Sequence, residues 1–313
     1  MEQKSQISDK KTIAILIPCF NEEITVGKVV TDFRKMIPSA EIYVFDNNST
    51  DKTSQVAREN GAIVIREKKR GKGHVVQSMF QKIKADYYVL VDGDDTYAAE
   101  RVNDLLEIVM QDHADMAVGN RLHTYEDKAF RPFHIIGNNL IRLLVNKFFG
   151  ASLKDIMSGY RAMKRDVVQS ITVLSKGFEI ETEITLQCLN RGFIIKEVNV
   201  PYRKRPQGSY SKLRTLSDGL LVIKAIIIIL RDYKPILFFG FLALCLFSGS
   251  MLSGFVVVKE FIETRYIAHI PLTILSAGLM LSSIIMFGIG IILESIKKRF
   301  DEIHSIIIKN MFE

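Results

Sequence analysis

Two stretches close to the C-terminal end, residues 235–258 and 270–293, contain no charged side chain. Each is about 24 residues long, enough for a helix to cross the ~30 Å hydrocarbon core of a bilayer. The competing reading is a helical hairpin sunk in a large soluble core, but two consecutive spans of this length favour a membrane. Basic residues gather at the outer flanks, with Arg231 and Lys234 before the first span and Lys297, Lys298 and Arg299 after the second. The connector, residues 259–269, carries only Lys259 and Arg265 as basic residues. That asymmetry predicts a multi-pass protein of the plasma membrane with both termini, and everything before residue 235, in the cytoplasm. Residues 213–231 form an apolar stretch broken by Asp218, Lys224 and Arg231, as expected of a helix lying in the membrane interface. The chain is therefore expected to divide into a soluble part (1–212), an amphipathic juxtamembrane helix (213–234), a two-helix hairpin (235–293) and a cytoplasmic tail (294–313).

The soluble part alternates between two periodicities. Residues 12–18 are a short continuous apolar run, as in a parallel strand buried on both faces. Helical spacing follows over 24–36, a strand over 42–45, a helix over 52–60 with Asp51 placed to cap it, a strand over 62–66, a helix over 74–84 and a strand over 87–91. This β-α-β-α-β-α-β order predicts an α/β fold with a mostly parallel sheet and helices on both faces. Ligands of such sheets bind beyond the carboxyl ends of the strands, where Asp46 and Asp92 fall. Beyond residue 112 the pattern is less regular: strands are expected near 116–118 and 194–200, and helices over 136–149 and 178–190.

The net charge of +7 points to anionic lipid or phosphorylated substrates, because the basic residues crowd toward the apolar end and no nucleic-acid-binding signature is present. Cys19, Cys188 and Cys245 are widely spaced, which argues against a disulfide framework or a cysteine metal site and for a reducing compartment. The polar N-terminal segment MEQKSQISDKK does not read as a signal peptide.

Three motifs carry chemistry. Asp92-Gly93-Asp94-Asp95 follows a strand, and carboxylates two apart at a strand end can share a hard divalent cation, Mg²⁺ or Mn²⁺, that neutralises a diphosphate. A solvated acidic turn is the plain alternative. Arg70-Gly71-Lys72-Gly73 opens a helix, and amides at a helix start beside two cations favour a phosphate. Residues 203–212, RKRPQGSYSK, hold four cations near the membrane, suited to lipid headgroups or to a loop that folds over an anion.

Taken in order, Pro18-Cys19-Phe20-Asn21-Glu22, Asp46 in FDNNSTDKT, RGKG and DGDD resemble the family 2 glycosyltransferases of GT-A (Rossmann-like) fold, closest to the dolichyl-phosphate mannose synthase and polyprenyl-phosphate glucosyltransferase type. The resemblance spans about residues 12–213, and the two apolar C-terminal spans fit members with transmembrane helices. It implies that Pro18, Asn21, Glu22, Asp46, Lys72 and Asp92 bind the nucleotide-sugar. By the same resemblance Asp94, with Asp92, would hold the metal. Arg121 and Arg131 would hold an acceptor phosphate, and Asp155, in DIMSGYR, would lie by the sugar. Arg205 and Lys212 match a family loop that would close on the diphosphate. The sequence reads DGDDTY where mannosyl members often read DADLQ, which leaves Asp95 as a candidate third ligand, and HTYEDKAFRPFH replaces the glycine-rich acceptor segment around Arg131. Glu181 and Glu183 are rival carboxylates, with helix-surface or capping roles as the alternative.

The resemblance also implies inverting transfer from a nucleotide-diphosphate-sugar to polyprenyl or dolichyl phosphate at the bilayer. Uridine diphosphate donors are favoured, with guanosine diphosphate mannose as the alternative. Related anchored members can assemble as homo-oligomers. A processive polysaccharide synthase would resemble a Q-x-x-R-W pattern, and the chain has no tryptophan. A glycosyltransferase with another acceptor and a non-enzymatic nucleotide-sugar sensor or scaffold are the remaining alternatives.

Overall fold

A computed structural model describes residues 11–122, 132–173, 180–206, 227–228 and 230–312. Arg131, Lys212 and most of the expected juxtamembrane helix lie outside the described residues. Two compact units divide the chain, residues 1–219 and 220–313.

The first unit is built on a seven-stranded sheet of order β3-β2-β1-β4-β6-β5-β7. Its first half follows the expected alternation: β1 (Ile13–Cys19), α1 (Val26–Met36), β2 (Glu41–Asp46), α2 (Thr53–Glu59), β3 (Ile63–Arg66), α3 (Lys72–Lys82) and β4 (Tyr87–Leu90). The run in β1 is apolar at every position because both faces are covered. Ile15, Ile17 and Cys19 enter one core with Val26, Val30, Phe33, Leu105 and Val109. Ala14 and Leu16 enter the other with Val76, Met79, Val167 and Ile184. Burying one such large apolar side chain contributes about 1.5–3 kcal/mol, so the two layers dominate the stability of this unit.

The second half adds α4 (Val102–Met110), β5 (Met116–Asn120), α5 (Pro132–Phe149), β6 (Arg161–Lys164), α6 (Arg165–Ser170), α7 (Ile180–Asn190) and β7 (Ile195–Asn199). Strand β6 runs antiparallel to both β4 and β5, and β7 is parallel to β5. Two reversals cancel, so β1, β2, β4, β5 and β7 all end on one edge of the sheet. The start of β6 meets that edge too, since Arg161 is paired with Leu90. This topology gathers the segments after residues 19, 46, 90 and 120 with the segment before residue 161.

The second unit contains α8 (Pro235–Thr264) and α9 (Ile270–Phe312), of 30 and 43 residues. Both are long and apolar enough to cross a membrane. They run past the uncharged spans, through the polar 259–264 and the basic 297–299, because backbone hydrogen bonding continues where side chains become polar. The expected tail from residue 294 therefore begins as helix. The helices pack at small residues: Ser250 Oγ donates to Ser276 O at 2.8 Å, Ser276 Oγ to Ser250 O at 3.0 Å, and Ser283 Oγ to Ala243 O at 2.8 Å. Such bonds and close backbone approach replace the hydrophobic effect between helices in lipid.

Candidate active site

Two asparagines build the basic loop. Asn47 Nδ2 donates to the carbonyls of Lys69 (2.7 Å) and Glu67 (3.1 Å), and Gly71 N–H donates to Asn47 Oδ1 at 2.8 Å. Asn48 Nδ2 donates to Lys68 O at 2.7 Å. Gly71 has φ 122°, a conformation glycine adopts readily, and it turns the chain directly into α3 at Lys72. Lys72 Nζ then lies 2.6 Å from Asp92 Oδ1 and 2.6 Å from Glu181 Oε1. Burial opposes the lysine charge, but attraction to Asp92 and Glu181 outweighs it and holds the ammonium above its ordinary pKa.

The two aspartates of the acidic motif separate electrostatically. Burial works against the charge on Asp92, but Lys72 overcomes it and keeps that carboxyl below its usual range. Asp94 is pushed up by burial and by the charge of Asp92, more than Arg205 pulls it down. Arg205 Nη2 sits 2.5 Å from Asp94 Oδ2, and its Nη1 3.9 Å from Glu22 Oε1. Thr96 Oγ1 donates to Asp94 Oδ1 at 2.6 Å, and Thr25 Oγ1 to Gly93 O at 2.7 Å. Asp95 points elsewhere: at φ 58° it pairs with Lys28 at 2.7 Å.

On the far side, Arg121 follows β5 and grips Asp155 through Nε (2.7 Å) and Nη2 (2.9 Å), with its Cζ 5.4 Å from the Tyr202 ring centroid. Arg121 is close enough to act on the charge of Asp92, as is Arg205. Asp92, Asp94, Lys72, Glu181, Glu22, Arg205, Arg121 and Asp155 thus share one edge. Asn21 and Asp46 adjoin it and accept local hydrogen bonds. Thr50 N–H donates to Asn21 Oδ1 (2.8 Å), while Ser49 N–H (2.9 Å) and Ser54 Oγ (2.7 Å) donate to Asp46. Pro18 is half-buried on β1, opposite Phe45. Glu183 is half-buried and accepts from Gln187 Nε2 at 3.3 Å, a contact within α7.

Several site residues were not singled out in the sequence. Gly159 N–H donates to Tyr97 Oη at 2.9 Å. Arg161 is fully buried, donating to the carbonyls of Ile156 (2.7 Å), Glu181 (2.8 Å) and Ser158 (2.9 Å). It therefore ties the segment bearing Asp155 to the start of α7. Gly159 and Arg161 belong to the quoted DIMSGYR motif, but local periodicity gives no sign that its arginine faces inward.

The donor set fits a divalent ion by its chemistry. Among the described residues no cluster of three acidic, histidine or cysteine ligands forms. The edge offers one or two carboxylates, as Mg²⁺ sites completed by substrate phosphates do. Asp94 would hold the ion, with Asp92 beside it.

The mostly parallel sheet, with β6 antiparallel between β4 and β5, has structural neighbours of GT-A-like fold. Glucosyl-3-phosphoglycerate synthase from Mycobacterium tuberculosis, in complex with Mn²⁺, uridine diphosphate and glucosyl-3-phosphoglycerate, superposes with a TM-score of 0.58 at 21% identity, over 71% of this chain and 79% of that one. Residues 14–172 match glycosyl transferase family 2, and the chain belongs to that family. Glycosyltransferase AglJ of Haloferax volcanii is 30% identical over 280 residues, 88% of this chain and 91% of that protein. The dolichyl-phosphate hexose transferase of the same organism is 27% identical over 215 residues, 69% and 92% respectively.

Proposed function

We propose that the protein transfers a hexose from a nucleotide-diphosphate-sugar to a polyprenyl or dolichyl phosphate at the cytoplasmic face of the membrane, with inversion at the anomeric carbon. The observation that carries this reading is the sorting of charge along one sheet edge. Carboxylates Asp92 and Asp94 with cations Lys72 and Arg205 form one end, suited to a diphosphate, and Arg121 with Asp155 forms the other. The two apolar helices and the likeness to a dolichyl-phosphate hexose transferase support a lipid-borne acceptor.

In the reaction an acceptor phosphate oxygen forms a bond to the anomeric carbon as the bond to the donor diphosphate breaks, and the electron pair leaves on the nucleoside diphosphate. Lys72 and Arg205, joined by Lys212 from the sequence resemblance, offset the charge that grows there. Asp94 and Asp92 would hold a divalent ion, which would add to the neutralisation of the diphosphate. The acceptor is already an anion, so no strong general base is needed. Arg121, with Arg131 from the resemblance, orients it for in-line attack. Asp155 holds the Arg121 guanidinium through Nε and Nη2.

The test incubates the membrane-purified protein and polyprenyl phosphate with a panel of uridine and guanosine diphosphate sugars, and reads released nucleoside diphosphate. Release that requires both one donor and the lipid phosphate is expected. Release unaffected by omitting the lipid phosphate would remove the acceptor assignment, and no release with any donor would favour a sensor or scaffold.

A further inference from the structure

We propose that Glu197 is a positioning residue for the acceptor end of the site, setting the orientation of Arg121 without touching it. The inference rests on the reading that Arg121 meets the acceptor phosphate. Glu197 lies on β7, the last strand of the sheet, where a glutamate would ordinarily extend into solvent. Instead its carboxylate receives three backbone hydrogen bonds from the segment beside it. Lys154 N–H donates to Oε1 at 2.8 Å and to Oε2 at 2.9 Å, and Asp155 N–H donates to Oε1 at 2.7 Å. Charge-assisted bonds of this length hold successive amides firmly.

The next link is Asp155, whose side chain is fully excluded from solvent. It accepts from the backbone N–H of Arg121 at 3.0 Å, from Nε at 2.7 Å and from Nη2 at 2.9 Å. The guanidinium is gripped through two atoms on one edge and faces the Tyr202 ring. Its plane is therefore fixed by where the Asp155 backbone sits, and Glu197 fixes that backbone. Burial raises the Glu197 carboxyl above its ordinary pKa even though the two amides favour its charged form. An arginine presented to a phosphate has to meet it within a fraction of an ångström for in-line attack, so its support is expected to register in acceptor use.

The experiment compares KM for polyprenyl phosphate and for the nucleotide-sugar in the full-length membrane protein. Glu197→Gln keeps the size of the side chain but removes the charge that strengthens these bonds, and it sets an NH₂ group against at least the Lys154 amide. It is expected to raise the acceptor KM by about tenfold while the donor KM stays within about twofold. In an Asp155→Asn background the same change is expected to add less than about twofold, because the link it acts through is already cut. An unchanged acceptor KM, a proportional rise in both KM values, or full additivity with Asp155→Asn would each overturn the proposal. If Glu197→Gln does not fold, Glu197→Asp, which keeps the charge but falls one methylene short, is read in the same way. Arg121→Ala separates the two layers. If it leaves the acceptor KM unchanged, the acceptor reading itself falls. If it raises that KM while Glu197→Gln does not, only the role of Glu197 falls.

Discussion

Gly93 and Gly159 matter for the atom they lack. A Cβ on Gly93 would stand 2.5 Å from Cys19 Sγ and 3.3 Å from Ile17 Cγ2, and a Cβ on Gly159 would stand 2.6 Å from Asp92 Oδ2. Neither requirement comes from backbone conformation. The glycine of the acidic motif lets the strand end close over β1, and the glycine of DIMSGYR lets a carboxylate reach the site floor. Gly93→Ala should therefore destabilise the protein by about 1–3 kcal/mol through overpacking and displace both flanking aspartates. Cys19→Ala, which removes the obstructing sulfur, should restore at least half of that loss in the double variant, read by thermal unfolding. A double variant no more stable than Gly93→Ala alone would show that the contact is not the cause. These roles were hidden in the sequence, where Gly93 is only the spacer of a D-x-D pattern and Cys19 an isolated cysteine. The charged residues were more legible. Asp92, Asp94, Lys72, Arg121, Asp155 and Arg205 lie along one edge of the sheet, while Asp95, at φ 58°, pairs with Lys28.

Among the elements, β1 and β4 are joined at their outer ends by Asp86. It accepts from Thr12 N–H at 2.7 Å and Thr12 Oγ1 at 2.9 Å, and meets Arg165 Nη2 at 2.8 Å. The backbone bond from Thr12, then Arg165, holds its carboxyl below the usual range. A lowered folded pKa means that Asp86 contributes its stability above the ordinary carboxylate value near 4 and loses it as the pH falls toward the lowered one. Asp86→Asn should thus be less stable than the wild type at neutral pH, with the difference shrinking in acid, as followed by denaturant unfolding across pH. A difference that stays constant would remove the electrostatic explanation. The elements that could be read from sequence are those whose pattern is local: the apolar runs of β1 and β4, the helices between them, and the two long apolar helices. Strand β6, RAMK, has four residues with a cation at each end. It exists because β4 and β5 hold it between them, and Arg161 can be buried only because carbonyls from two other segments receive it. Tertiary pairing of this kind leaves no periodicity to detect.

At the scale of the whole molecule, an α/β unit with a diphosphate-suited edge is followed by two helices suited to a bilayer. The spans that lack charge in the sequence lie within the two long helices. The sequence did not show where the helices stop, because a helix continues into polar residues without any change in backbone bonding. The proposed chemistry needs both units, one to hold a soluble donor and one to meet a lipid acceptor, and it depends most on Asp94. The decisive measurement is the mass-spectrometric yield of glycosyl polyprenyl phosphate from the purified protein, lipid phosphate, nucleotide-sugar and Mn²⁺, compared between wild type and Asp94→Ala. Product from the wild type and a loss of at least about 100-fold in the variant, with its fold intact, is the expected result. Product formed at near wild-type yield by Asp94→Ala would contradict it.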